Sequence, residues 1–262
     1  MTSDPVIFQF ILLFGAFFAG VVQGATGFGS GIVLNAFWLH ILEPSAAISL
    51  NIVSCLFVSA LPIYKLRKTL DFSKLKPFVI FGVLGIPTGL FILTLTDPTI
   101  FKTTVGFILV LFSIWKFRSK NIFINFKSSP SLDKLIGFIS GILGGFAALG
   151  GILPTIWVNI QRLPKNTQRG TYEPFIFITS IAAVVSFYFA GFLNLDIFNY
   201  FIKNKSNTIL IIISFFNLYI TYSRGSYLAL LVGSLVMLIF TRSITKKNKI
   251  YIFILLLSLI HI

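Results

Sequence analysis

An all-α fold, a polytopic transmembrane helix bundle, is what this sequence predicts, and three observations predict it. Hydrophobic residues make up 56% of the chain and charged residues only 11%, against roughly 25% charged in a soluble domain. With a mean hydropathy of +0.95, the chain has too few charges to cover a water-facing surface. Its apolar runs approach the roughly 20 residues a bilayer-spanning helix needs, and such long runs exclude the short alternating strands of a β-barrel. Two glycine-rich stretches also recur at constant spacing, which predicts inverted repeats built on glycine-broken helices.

In chain order, the apolar segments fall at 6–23, 31–42, 45–64, 77–95, 99–115, 135–149, 152–160, 174–192, 207–222, 226–240 and 250–262. The second and seventh are too short to cross, and each follows a glycine cluster, so each is expected to be half of a broken helix. The last is also short and ends the chain. Residues 1–134 form the expected first repeat, 135–198 a partial second repeat, and 199–262 an atypical tail, fused or truncated.

The loops set the orientation. The net charge is +14, from 21 Lys and Arg against 7 Asp and Glu. Lys65, Arg67, Lys68, Lys74 and Lys76 fill one loop against Asp71, and Lys116, Arg118, Lys120, Lys127 and Lys134 fill another against Asp133. The hairpin tip between these loops carries only Asp97. Short basic loops on one side are the positive-inside pattern of a membrane protein, so the lipid bilayer, and not nucleic acid, is the partner that the charge implies. Both loops, and the later group Arg162, Lys165 and Arg169, are then cytoplasmic. Counting helices from there puts the N-terminus outside, the turn at Gly24–Gly29 facing in, and 149–151 facing out. The abundance of Phe, Lys, Asn and Ile suits an AT-rich bacterial genome, hence a bacterial inner membrane.

Gly20, Gly24 and Gly29 align with Gly141, Gly145 and Gly150 at one offset. Five segments lie between the copies, and an odd number inverts the second. Inverted repeats with interrupted helices are the layout of secondary transporters, which bind substrate at the repeat interface. Glycine permits the dihedrals of a helix break. A half-helix starting beside it presents unpaired N–H groups and a positive dipole end, which favours an anion. Close packing through small residues is the competing account of one glycine cluster; two inverted clusters favour a site.

The candidate substrate-binding residues are Gln23, Gly24, Thr26, Gly27, Gly29, Ser30 and Asn35 in the first copy, with Gly145, Gly150, Gly151 and Pro154 in the second. The expected ligand is a small anion, moved by alternating access. No catalytic residue, metal or cofactor is expected: His40 and His261 stand far apart without metal-ligand spacing, and Cys55 in an apolar run reads as a small buried hydrophobe.

At these motifs the chain resembles the TauE/SafE family of membrane permeases, often described as sulfite exporters. The carriers are the stretch from Gly20 to Gly31 (GVVQGATGFGSG), the stretch from Gly137 to Gly151 (GFISGILGGFAALGG), and LPKNTQR at 163–169. The likeness covers about residues 6–195 and implies transport of sulfite, sulfonates or related organic anions, and no enzyme activity. Pro154 departs from it, standing three residues after Gly151 where the family pattern is tighter. The tail looks different: Ser223-Arg224-Gly225 opening a hydrophobic run resembles a fragment of the O-antigen ligase/polymerase family. A basic group at 242–249 also falls on the wrong side of the helix count. A membrane glycan transferase fragment, or a non-functional hybrid chain, is therefore the alternative reading.

Overall fold

The computed structural model describes residues 5–26, 28–66, 72–118, 129–161 and 165–193. These residues form eight helices and no strand: α1 (Pro5–Thr26), α2 (Ser30–Trp38), α3 (Pro44–Leu66), α4 (Phe72–Leu95), α5 (Pro98–Arg118), α6 (Pro130–Ala147), α7 (Ile152–Ile160) and α8 (Lys165–Phe189). Three stretches, Leu75–Leu95, Pro98–Trp115 and Thr167–Phe189, are long and apolar enough to cross a membrane. The tail, with its ligase-like motif, lies outside the described residues.

Both breaks expected from the glycines are present, and the half-helices that follow them, α2 and α7, are nine residues each. The first break turns on Gly29, at φ +95°, a left-handed conformation that glycine adopts without steric cost. In the second, Ala148 takes the left-handed conformation at φ 55°, which strains an L-residue. By the repeat offset Ala148 stands where Gly27 stands in the first copy.

Prolines mislead at two boundaries. Pro77 and Pro174 look like helix starts, yet α4 begins at Phe72 and α8 at Lys165, with Pro77, Pro87 and Pro174 inside the helices. Membrane helices tolerate internal proline where neighbouring groups take over the freed backbone partners. The loop read at 161–173 is therefore mostly the first two turns of α8.

Contacts fix the directions. Trp38 on α2 bonds back to Leu12 on α1, and Asn51 on α3 bonds to Gly31 and Asn35 on α2. Hence α1 and α3 run parallel, with α2 returning between them. The α3 helix then runs antiparallel to α8: Ser49 near its start reaches the carbonyl of Phe192 beyond the end of α8, at 3.2 Å. In the second copy Trp157 on α7 bonds back to Asp133 on α6. The α1–α2–α3 unit and the α6–α7–α8 unit therefore run in opposite directions, as an inverted repeat requires.

The tightest junction joins α4 and α6. Gly85 and Gly89 on α4 face α6, Gly137, Gly141 and Gly145 on α6 face α4, and the two backbones touch. A Cβ on Gly141 would collide with the carbonyl of Gly82, one on Gly145 with that of Ile86, and one on Gly89 with that of Ile142. Small residues permit such close approach in membranes, where lipid is as apolar as leucine and packing must drive association. The pairing of 78 with 137, 82 with 141 and 86 with 145 keeps one offset, so the helices are parallel. The two basic loops that precede them consequently lie at the same end of the bundle. The main buried core, including Leu34, Ile48, Ile86, Phe101, Val105, Leu149 and Phe187, fills the space between the two units.

Candidate functional site

The two helix breaks meet. Asn35 donates from Nδ2 to the carbonyl of Ala147 at 2.7 Å, and a Cβ on Gly31 would stand 2.6 Å from the carbonyl oxygen of Ala148. Asn35 is itself held by Asn51, whose Nδ2 donates to Asn35 Oδ1 at 2.8 Å and to the carbonyl of Gly31 at 3.1 Å. All three groups are buried, and buried amides are retained where their bonds are satisfied.

The sequence expectation that one break faces in and the other out is corrected here. Ser30, just after the first break, lies against Cys55 on α3, with Oγ and Sγ 3.7 Å apart. From Cys55, α3 runs on to Leu66, about 16 Å at 1.5 Å per residue. The breaks therefore lie inside the bundle, abutting each other.

At their junction is a cavity of about 50 Å³, lined by Gln23 and Phe28 to Ile32 from the first break and by Gly144 and Ala148 to Ile152 from the second. The lining is completed by Ile52 and Cys55 on α3 and by Ile176, Thr179, Ser180 and Ala183 on α8. A single water needs at least about 10 to 15 Å³ of such space, so the cavity suits a few waters or a compact ion. The N-terminal ends of α2 and α7 both open on it, which directs two positive dipole ends at one small volume. One of these ends is partly capped: Gln23 Oε1 accepts from the Ser30 N–H at 3.3 Å. The hydroxyls of Ser30 and Ser180 add neutral donors, while that of Thr179 donates to the carbonyl of Phe175 at 2.7 Å.

Of the expected site residues, Gln23, Gly29, Ser30, Gly150 and Gly151 line this cavity. Asn35 stands behind it as the link between the breaks. Gly145 faces the α4 seam, where its missing Cβ admits Ile86, and Pro154 is buried within α7 beyond the lining. Gly24 and Thr26 end α1; their outward contacts, and Gly27, lie outside the described residues. Sequence reasoning missed Asn51, Thr179 and Ser180, which sit away from the glycine clusters. The signal that could have found Thr179 and Ser180 is a polar pair within an otherwise apolar run.

Toward the end that carries the basic loops, Phe28 of the lining packs on further aromatic rings. Phe28 meets Phe112 edge-on at 6.1 Å and Tyr172 at 6.2 Å, and Phe112 meets Trp115 at 6.1 Å.

A family model described as Sulfite exporter TauE/SafE matches residues 12–261, nearly the whole chain. The chain belongs to the TauE/SafE family. It is a multi-pass membrane protein of a transport family for sulfite or related anions. The TauE/SafE match runs past residue 195, where the sequence likeness stopped, and takes in the tail; nothing matched supports the ligase-like reading of Ser223-Arg224-Gly225. No curated protein and no solved structure matches the chain.

Proposed function

We propose that the chain is a permease for compact sulfur oxyanions, sulfite or small sulfonates, which it binds between the two helix breaks and moves by alternating access across a bacterial inner membrane. The observation that carries this reading is the convergence of the α2 and α7 N-termini on one small cavity at the interface of two oppositely directed units. Backbone N–H groups and the hydroxyls of Ser30 and Ser180 would hold the oxyanion, with Gln23 releasing the Ser30 N–H to it. Two units of opposite direction have the geometry to expose one site to each side in turn by moving against each other. The Phe28, Phe112 and Tyr172 rings then form the closure on the basic-loop side.

Purified protein in proteoliposomes should move sulfite above the level of empty liposomes. Ser30→Ala should raise KM by roughly tenfold, the loss of one hydrogen bond to a charged group. Gly29→Leu, which forces a bulky residue into φ +95°, should abolish flux. Wild-type flux equal to that of empty liposomes, for sulfite and for methanesulfonate alike, would sink the proposal.

A further inference from the structure

Two carboxylates are buried among the described residues, Asp133 and Glu173. Asp133 holds the Trp157 indole. Glu173 has a different setting: it is 1% exposed, within a membrane-crossing stretch of α8, and its Oε1 lies 3.8 Å from Nε of Arg169, one helical turn earlier. A surface i,i+4 pair would leave both groups in water. Here the carboxylate is enclosed while the guanidinium is 29% exposed. An ionisable side chain inside a membrane span is costly and marks function by default.

Position ties the pair to the cavity. Glu173, Ile176, Ser180 and Ala183 recur at helical spacing along one face of α8, and the last three line the cavity. Glu173 is about 5 Å and Arg169 about 10 Å along the helix axis from Ile176. Tyr172 between them meets Phe28, which lines the cavity. α8 runs parallel to α4, since Phe78 meets Phe175 and Gly82 meets Thr179 at one offset, so the pair lies at the basic-loop end. The charged side chains described on the elements packed against α8 are Lys76 on α4, exposed; Lys134 on α6, exposed and 5.7 Å over the Phe81 ring; and Asp133 on α6, bonded to Trp157.

We infer that Glu173 is a proton-binding site coupled to the anion through Arg169. The inference rests on the anion-transport reading above. With Glu173 ionised, the pair is neutral. When Glu173 takes one proton, the pair gains one positive charge, and Arg169, which also bonds Tyr172, presents that charge to the anion beside the Phe28 and Tyr172 rings. One proton and one monoanion then enter as a neutral pair, so each favours the binding of the other.

Methanesulfonate is the probe, because it is the anion of a strong acid and its charge stays fixed over the whole pH range scanned. In purified protein, infrared difference spectra on acidification should show a protonated-carboxyl band in the wild type that grows when methanesulfonate is added. The band should be absent in Glu173→Gln and kept in Glu173→Asp. In proteoliposomes, wild-type methanesulfonate flux should rise several-fold on acidification, and Glu173→Gln should give a flat pH profile. A band that persists unchanged in Glu173→Gln, or an unaltered pH profile in that variant, overturns the inference. Absence of flux in the wild type counts against the transport reading, whereas the infrared band decides the proton site by itself. If Glu173→Gln fails to fold, Glu173→Asp decides: loss of both the band and the pH response there, in folded protein, also overturns it.

Discussion

Two tryptophans close the two half-helices, and they do so with different partners. Trp38 Nε1 donates to the backbone carbonyl of Leu12 at 3.0 Å, while Trp157 Nε1 donates to the carboxylate of Asp133 at 2.8 Å. By the repeat offset, Leu12 and Asp133 are equivalent positions, so one fold solution is reached by backbone in one copy and by side chain in the other. A hydrogen bond to a charged group contributes about 1.5–3 kcal/mol, a neutral one about 1. Trp157→Phe should therefore destabilise the protein by roughly twice as much as Trp38→Phe, because it leaves a buried carboxylate short of a donor. Thermal unfolding in one detergent, with both variants side by side, checks this; equal losses would remove the special role of Asp133.

Among elements, the α4–α6 seam is the feature with the least tolerance. Gly141→Leu would drive a side chain into the backbone of Gly82 and should prevent the two helices from meeting, giving no monodisperse protein on gel filtration. Gly106 on α5 has nothing within 4 Å of where a Cβ would stand. There Gly106→Ala should be neutral or stabilising by up to about 1 kcal/mol, since alanine is the better helix former. The seam shows what the sequence made legible. The broken helices could be read because glycine clusters and short apolar runs coincide at 29–38 and 150–160. Their meeting could not, since the link from Asn35 to Ala147 joins residues far apart in the chain, and no local pattern encodes it. Gly145 was read as part of the site because packing glycines and site glycines share one composition. Glu173 escaped notice because Pro174 suggested a helix start, which placed the acid in a loop.

At the scale of the whole molecule, the parallel course of α4 and α6 makes a topological demand. Lys76 and Lys134, both exposed near the starts of these helices, must lie on one side of the membrane, and Asp97, exposed at the hairpin tip, on the other. With the native buried thiol Cys55 replaced by alanine, Lys76→Cys and Lys134→Cys should react with an impermeant maleimide only in inside-out vesicles. Asp97→Cys should react in intact cells. Labelling of Lys76→Cys and Lys134→Cys from opposite sides would contradict the parallel pairing and the inverted repeat with it.

The same parallel course constrains the order of biogenesis. Two parallel spanning helices need an intervening helix to bring the chain back, so α6 reaches the bilayer only after α5 has been made. Until then α4 sits in lipid with the glycine face of Gly85 and Gly89 uncovered, its backbone bare where a partner backbone will later lie. The contact that most tightly joins the two halves is thus among the last of the first six helices to form. A nascent chain paused within the α5–α6 loop holds an unfinished interface, the kind of exposed surface at which multi-helix chains misassemble.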